Sequence, residues 1–150
     1  MTSRKIEERG ARLLETLRGE GARLIILRDG CILYRSDERG IRPLLDALNS
    51  LSPDSLHGAS YVDRVVGKAA ALLLARAGAG FVATIVASEP ALDLLREHRI
   101  PTYREEACSH IAGRAPGQPC LFEESVADID DPKDAHLKLG QLAVDMDLFP

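Results

Sequence analysis

The sequence predicts a single α/β domain over residues 1–150, in which helices cover both faces of a mixed β-sheet as a three-layer α/β/α sandwich. Strand-like runs alternate with helical runs along the chain, which is typical of sheets whose strands are joined through helices. The length of 150 residues and the 45% of hydrophobic residues suit one domain with a sizeable core. That core must be mostly aliphatic, because there is no Trp and there are only three Phe and three Tyr.

The first part of the chain predicts a helix and a hairpin. Residues 1–20 form an N-terminal helix that precedes the core, with a cap at Thr2 or Ser3 and its end near Gly19. Two β-rich runs then flank Asp29-Gly30. This dipeptide is a strong hairpin signal, because a type I′ turn needs two consecutive residues with positive φ.

The middle of the chain predicts helices separated by a loop. Pro43 marks the first turn of a short helix, residues 49–61 are polar and predict a loop, and residues 62–77 predict a helix. Residues 78–80 (GAG) end that helix and a buried strand follows over residues 81–86.

The last third is less regular. Ser88 caps a predicted helix with Pro90 in its first turn, and residues 100–104 predict another short strand. Residues 105–127 are ambiguous. Their Gly and Pro residues predict a loop, whereas residues 121–126 could also form a strand that pairs with the sheet. Asp131-Pro132 begins a final helix.

Composition argues against several classes of function. The formal net charge of −4 and the scattered basic residues argue against binding to nucleic acid. The apolar run over residues 69–87 is interrupted by Arg76 and by the GAG turn, so we expect two buried elements and no membrane span. The charged N-terminus predicts no signal peptide, and three cysteines suit a reducing compartment, so we expect a cytoplasmic protein.

The order of elements from about Ala22 onward resembles the cytidine-deaminase-like fold. In active members of that fold, one helix begins with His-x-Glu or Cys-x-Glu and the next with Pro-Cys-x-x-Cys. The His and the two Cys hold zinc, and the Glu moves protons to the metal-bound water. Here Val66, Ala91 and Leu94 occupy the three ligand positions and Lys68 occupies the position of the glutamate. The resemblance therefore implies a protein that is not a zinc-dependent deaminase, with no metal site and no cofactor.

Two local stretches are similar to a small uncharacterised bacterial family of unknown function, a zinc-less branch of this superfamily. They are residues 63–71 (DRVVGKAAA) and residues 117–123 (GQPCLFE). The resemblance implies a pocket formed by these stretches and by the Ser88–Pro90 turn. Its predicted ligand-binding residues are Asp63, Gly67, Lys68, Ser88, Glu89, Cys120 and Glu123.

Three functions follow from this pocket. The first is binding of a small polar or anionic ligand, for which a nucleotide-like molecule is one candidate. The second is an enzyme that uses Lys68 or Cys120 covalently, which would require a strongly shifted pKa at one of them. The third is an oligomeric interaction module with a vestigial pocket, which leaves homo-oligomerisation open. A P-loop is not indicated, because Gly67-Lys68 is followed by Ala69 where magnesium binding needs Ser or Thr.

Overall fold

The computed structural model describes residues 1–113 and 117–146, so part of the irregular segment and the last four residues lie outside the described chain. In chain order the elements are α1 (Ser3–Gly19), β1 (Leu24–Arg28), β2 (Cys31–Ser36), α2 (Arg42–Ser50), α3 (Pro53–Leu56), β3 (Ser60–Val66), α4 (Lys68–Ala77), β4 (Phe81–Ser88), α5 (Glu89–Glu97), β5 (Thr102–Cys108), α6 (Leu121–Ser125) and α7 (Pro132–Asp145).

The local signals for the helix ends and the hairpin are confirmed. The Thr2 hydroxyl caps α1 by accepting from the N–H of Lys5, and Ser88 and Asp131 cap α5 and α7 in the same way. Asp29 and Gly30 both have positive φ, at 52° and 79°, so the β1–β2 turn has the conformation that the dipeptide predicts.

The predicted helix over residues 62–77 is wrong in its first third. Residues 60–66 form β3, which pairs with β1 on one side and β4 on the other, and α4 begins only at Lys68. Tyr61 and Val62 are almost completely buried, at 1% and 0% exposure. Aromatic and β-branched residues fit a central strand that is covered on both faces, and this burial outweighs their moderate helix propensity.

The described strands form one mixed sheet in the order β2-β1-β3-β4-β5. β1 is antiparallel to both of its neighbours, whereas β3, β4 and β5 are mutually parallel. Because β2 and β3 both run opposite to β1, the carboxyl ends of four strands meet at one edge of the sheet. We call this the carboxyl edge.

Helices cover both faces of the sheet. The sheet separates two apolar clusters of unequal size. In β1, Leu24 and Ile26 belong to the larger cluster and Ile25 and Leu27 to the smaller one, because successive side chains of a strand point to opposite faces. α1 packs on β3, β4 and β5 in the smaller cluster. The larger cluster contains side chains of α2, α4, α5 and α7.

Three other segments differ from the sequence prediction. The predicted loop over residues 49–61 contains α3, whose N-terminus is capped by the Ser52 hydroxyl. The strand predicted at residues 100–104 is β5, which extends to Cys108 because its backbone continues to pair with β4. Residues 121–125 form α6 and therefore add no strand to the sheet.

Within residues 1–113 and 117–146, every helix is too short or too polar to cross a membrane. The apolar run near residue 78 is divided as predicted, because Gly78 ends α4 in the left-handed conformation and β4 begins three residues later.

Candidate functional site

A cleft of about 370 Å³ lies at the carboxyl edge of the sheet, and we call it the first cleft. It is lined by residues that follow three of the parallel strands: Lys68 after β3, Ser88 at the end of β4, and His110 after β5. In open α/β sheets, ligands bind outside the carboxyl ends of the strands. The described lining is Lys68, Ser88, Pro90, Asp93, Leu94, Glu97, His110, Ile111, Glu123, Ala127 and Asp130.

The first cleft is predominantly acidic. Four carboxylates, from Asp93, Glu97, Glu123 and Asp130, line it together with one ammonium, from Lys68. Acidic side chains attract hydrogen-bond donors and cations and repel anions.

The carboxylate of Glu123 caps the start of α4. Its Oε2 accepts a hydrogen bond of 2.7 Å from the N–H of Ala69, and the N–H of Lys68 also points to this carboxylate. The approach requires a glycine at position 67, because a Cβ there would overlap Oε1 of Glu123 and would lie 2.7 Å from its Cδ. The structure thus brings Gly67 and Glu123 together, as a capping contact within the chain.

Burial raises the pKa of the Glu123 carboxyl above its ordinary value, because desolvation penalises the charged form. The two N–H groups of α4 and the charge of Lys68 act in the opposite direction, but the raised pKa shows that they do not compensate for the burial.

Lys68 is one of the residues that line the first cleft. Its Nζ donates to the carbonyl of Ala127 at 2.9 Å and lies 3.2 Å from Oδ1 of Asp130. The side chain of Lys68 is 17% exposed and that of Asp130 is 86% exposed. Both partners of Lys68 thus belong to the α6–α7 connection.

Ser88 lines the first cleft, but its hydroxyl is already engaged. The Oγ accepts from the N–H of Ala91 at 3.3 Å and the residue is 1% exposed. The starts of α4 and α5 are therefore both capped by side chains of the chain itself.

Four of the predicted ligand-binding residues are not part of the described lining of this cleft: Asp63, Gly67, Glu89 and Cys120. Asp63 lies inside β3, opposite Leu24 and Thr84. Burial raises the pKa of its carboxyl to about 7, although the N–H groups of the next two residues favour the charged form. Glu89 is an exposed residue of the first turn of α5, and Cys120 is the residue before α6.

The three positions that the resemblance aligned with zinc ligands do not fit a metal. Val66 and Ala91 are completely buried and Leu94 is 4% exposed, and all three belong to the larger apolar cluster. Their side chains carry no donor atom for a metal. In the part of the chain that the structure describes, no group of three His, Cys, Asp or Glu side chains is arranged to hold a metal ion.

Sequence analysis missed several residues of the cleft. Asp93 and Glu97 are four residues apart on α5, a spacing that places both on one helix face and that could have indicated a shared surface. His110 and Asp130 gave no comparable signal, because each is brought to the cleft by an irregular connection. The imidazole Nδ1 of His110 lies 2.9 Å from the hydroxyl of Ser109.

A second cleft of about 370 Å³ is lined by Phe122 of α6 and by residues 37–42, which connect β2 to α2. Because β2 ends at the carboxyl edge, both clefts lie along that edge, and α6 contributes one lining residue to each.

The fold and the clefts define an α/β protein with a candidate binding site at the carboxyl edge of a five-stranded mixed sheet. Residues 12–141 match the family model described as TM1506, domain of unknown function DUF1893, and the chain therefore belongs to this family. Membership in a family of unknown function agrees with the prediction, whereas the place of that family in the cytidine-deaminase-like superfamily is not shown by these matches.

A solved structure has a similar fold. It is the crystal structure of a DUF1893 family protein (TM1506) from Thermotoga maritima, which is 25% identical in sequence. The similarity covers 87% of each chain with a TM-score of 0.79. No curated protein matches the chain.

Proposed function

We propose that this chain binds a small polar ligand, neutral or cationic, in the first cleft, without zinc and without a covalent step. The observation that carries the proposal is the charge of the cleft lining, which contains four carboxylates and one ammonium. A ligand rich in N–H or O–H donors would find acceptors on several sides of this cleft.

The same lining disfavours the anionic ligand that the sequence left open. An anion gains most from unsatisfied N–H groups at a helix start, together with positive charge. Here Glu123 accepts from the start of α4 and Ser88 accepts from the start of α5. The ammonium of Lys68 is already paired with Asp130.

The geometry gives less support to an enzyme that acts through Lys68 or Cys120. A lysine nucleophile needs a free amine that points at the substrate, whereas Nζ of Lys68 already donates to the carbonyl of Ala127 and lies 3.2 Å from the carboxylate of Asp130. Cys120 lies outside the described lining of the first cleft, so a ligand in that cleft would not reach its thiol directly.

The assignment to the cytidine-deaminase-like superfamily is part of the proposal. It is supported by the positions of the two diagnostic stretches. Val66-Gly67-Lys68 forms the β3–α4 junction, and Pro90 is in the first turn of α5. In that superfamily these two helix starts form the substrate pocket, so a nucleoside-like molecule is the first ligand to test.

A thermal-shift comparison of neutral nucleosides with their 5′-monophosphates tests the proposal. A ligand present at about 100 times its Kd stabilises the folded protein by about 2.7 kcal/mol. We expect a neutral nucleoside or an amine to raise the melting temperature more than the corresponding phosphate. If only the phosphates stabilise the protein, the proposed charge preference is wrong.

The variant Glu97→Gln should weaken the stabilisation by such a ligand, because it removes one acceptor charge from the cleft. The matched control is Glu15→Gln, an exposed acid on α1 at the other face of the sheet. An equal loss in both variants would show that the ligand does not use the first cleft.

A further inference from the structure

The side of α7 that points away from the sheet carries exposed apolar residues. α7 packs on α2, α4 and α6, and its buried residues are Ala135, Leu139 and Ala143. On the opposite side, Leu137 is 69% exposed, which is more than any other large apolar side chain of the described residues, and Val144 is 58% exposed. Apolar residues that recur on one solvent-facing side of a helix are typical of a protein–protein contact.

The spacing of these residues is that of a seam between two packed helices. Leu137, Gln141 and Val144 are separated by four and then three residues, and all three are exposed. At 3.6 residues per turn they lie within an arc of about 60° on the helix surface. We call these three residues the outer face of α7. Gln141 also donates from Nε2 to Oδ1 of Asp145 at 2.9 Å, which holds that carboxylate beside the outer face.

Two opposite charges lie along one side of the outer face. Lys138 and Asp145 are seven residues apart, the same separation as that of Leu137 and Val144, so they form a second row parallel to the first. Within residues 1–113 and 117–146, Lys138 makes no ion pair.

This row of charges is complementary to itself in one orientation only. If α7 of a second copy lies antiparallel on the outer face, Lys138 of each copy comes beside Asp145 of the other. In a parallel arrangement, each charge would lie beside the same charge of the second copy and repel it.

We propose that the outer face of α7 is an interface with a second copy of this chain, in which the two α7 helices pack antiparallel across a two-fold axis. A two-fold interface uses the same surface on both subunits, so Leu137 of each copy packs on Val144 of the other. The antiparallel arrangement also brings helix ends of opposite partial charge together. The interface does not depend on the proposed ligand, because none of its residues is in the described lining of the first cleft.

The length of α7 limits the strength of this contact. The helix has 14 residues and is therefore about 21 Å long. One pair of helices of this length forms a small interface, of the kind found in transient complexes. We therefore expect a reversible dimer, whose fraction increases with protein concentration.

Analytical ultracentrifugation of the full chain tests the dimer, from low micromolar to millimolar concentration and at low ionic strength. A reducing agent is needed, because the exposed Cys31 could otherwise crosslink two chains. We expect the average mass to rise with concentration from that of one chain toward that of two. A mass that stays at that of one chain over the whole range would overturn the proposal.

The variant Leu137→Lys places a charge in the apolar seam, and we expect it to raise the Kd of the dimer at least about tenfold. The matched control is Ile32→Lys on the edge strand β2, where Ile32 is 40% exposed. An edge strand is another place at which a second copy could pair. The control should leave the Kd unchanged. Dissociation by Ile32→Lys but not by Leu137→Lys would assign the interface to the sheet edge and overturn the proposal.

Charge reversal identifies the orientation. Lys138→Glu alone and Asp145→Lys alone each place like charges opposite one another in both ion pairs, so each should raise the Kd, by roughly tenfold at low ionic strength. A mixture of the two variant proteins should restore the dimer. In the mixed dimer, the introduced glutamate lies opposite the introduced lysine, and the remaining Lys138 lies opposite the remaining Asp145.

This restoration separates a contact between chains from one within a chain, because each variant protein in the mixture still carries only its own substitution. The melting temperature of each variant alone shows that it is folded. If the mixture dissociates as readily as the separate variants, the antiparallel α7 interface is wrong.

Discussion

At the scale of single residues, Gly67 leaves the space that the Glu123 carboxylate occupies. Its φ of −95° is accessible to any residue, so the requirement for glycine comes from space and not from the backbone. We expect Gly67→Ala to lower the free energy of unfolding by about 0.5–2 kcal/mol, because the added Cβ displaces the Glu123 carboxylate that caps the start of α4.

Gly140→Ala is the matched control for that substitution in chemical denaturation. Gly140 lies inside α7, and apart from its own helix backbone and chain neighbours no described atom lies within 4 Å of the position of its Cβ. Alanine there should stabilise the protein by up to about 1 kcal/mol through helix propensity.

A double variant gives a second control. Gly67→Ala should lower the free energy of unfolding by a smaller amount when Glu123 has already been replaced by alanine. An equal cost in both backgrounds would contradict the role of Gly67 as the space for the carboxylate.

Lys68 offers a second prediction at this scale. Its partner Asp130 is 86% exposed, and ion pairs of such residues contribute little to stability. Lys68→Ala should therefore change the free energy of unfolding by less than about 1 kcal/mol, while it weakens the binding of a ligand in the first cleft. Denaturation and a binding titration on the same variant check both parts. A large loss of stability would make Lys68 a structural residue.

At the scale of elements, α1 depends on a close approach to the sheet. A Cβ on Gly10 would overlap the side chain of Tyr103 on β5, whereas no described atom lies within 4 Å of a Cβ on Gly19 in the same helix. Gly10→Ala should therefore destabilise the protein by about 1–3 kcal/mol. Gly19→Ala should be neutral or slightly stabilising. Similar midpoints of denaturation for the two variants would contradict this packing.

The elements that sequence analysis predicted well are those that local chemistry determines. The caps at Thr2, Ser88 and Asp131 and the turn at Asp29-Gly30 depend on neighbouring residues alone. β3 was assigned wrongly because its burial between β1 and β4 is a property of the assembled sheet. The same distinction, between residues that local chemistry identifies and residues that only the assembled fold brings together, applies to the site.

Ser88 was identified because it caps the start of a predicted helix. Lys68 was identified through the resemblance to the deaminase-like fold, since the predicted helix over residues 62–77 placed it away from a helix end. Glu123 was identified only through the resemblance of its segment to a family, and nothing local shows that it reaches Gly67. Asp130 was missed because an irregular connection brings it to the cleft. Asp93 was missed although its spacing from Glu97 on α5 places both acids on one helix face.

At the scale of the whole molecule, Asp63 makes stability depend on pH. Its folded-state pKa of about 7 is above the ordinary value of 3.8, so the folded state holds this proton more tightly than the unfolded chain. The stabilising contribution is therefore present at low pH and is lost as the pH rises through about 7. We expect Asp63→Asn to stabilise the protein by about 1–3 kcal/mol at about pH 8 relative to the unchanged chain, with a smaller difference at about pH 4.

Free energies of unfolding measured over this pH range check that prediction. Burial lowers the pKa of His136, so its contribution to the free energy of unfolding rises with pH instead of falling. This contribution is present in both the unchanged protein and the Asp63→Asn variant, and it therefore cancels in the difference between them. A difference that does not change with pH would contradict the titration of Asp63 in the folded protein.

The most direct test of the proposed binding site is two-dimensional NMR of the labelled protein, titrated with adenosine, cytidine and their 5′-monophosphates. The proposed function predicts that a neutral nucleoside shifts the amide signals of Lys68, Ser88, Asp93 and His110 and leaves those of α1 unchanged. It also predicts weaker shifts with the corresponding phosphate. Shifts confined to surfaces outside the carboxyl edge, or no shifts with any of these probes, would contradict a nucleoside-like ligand in the first cleft.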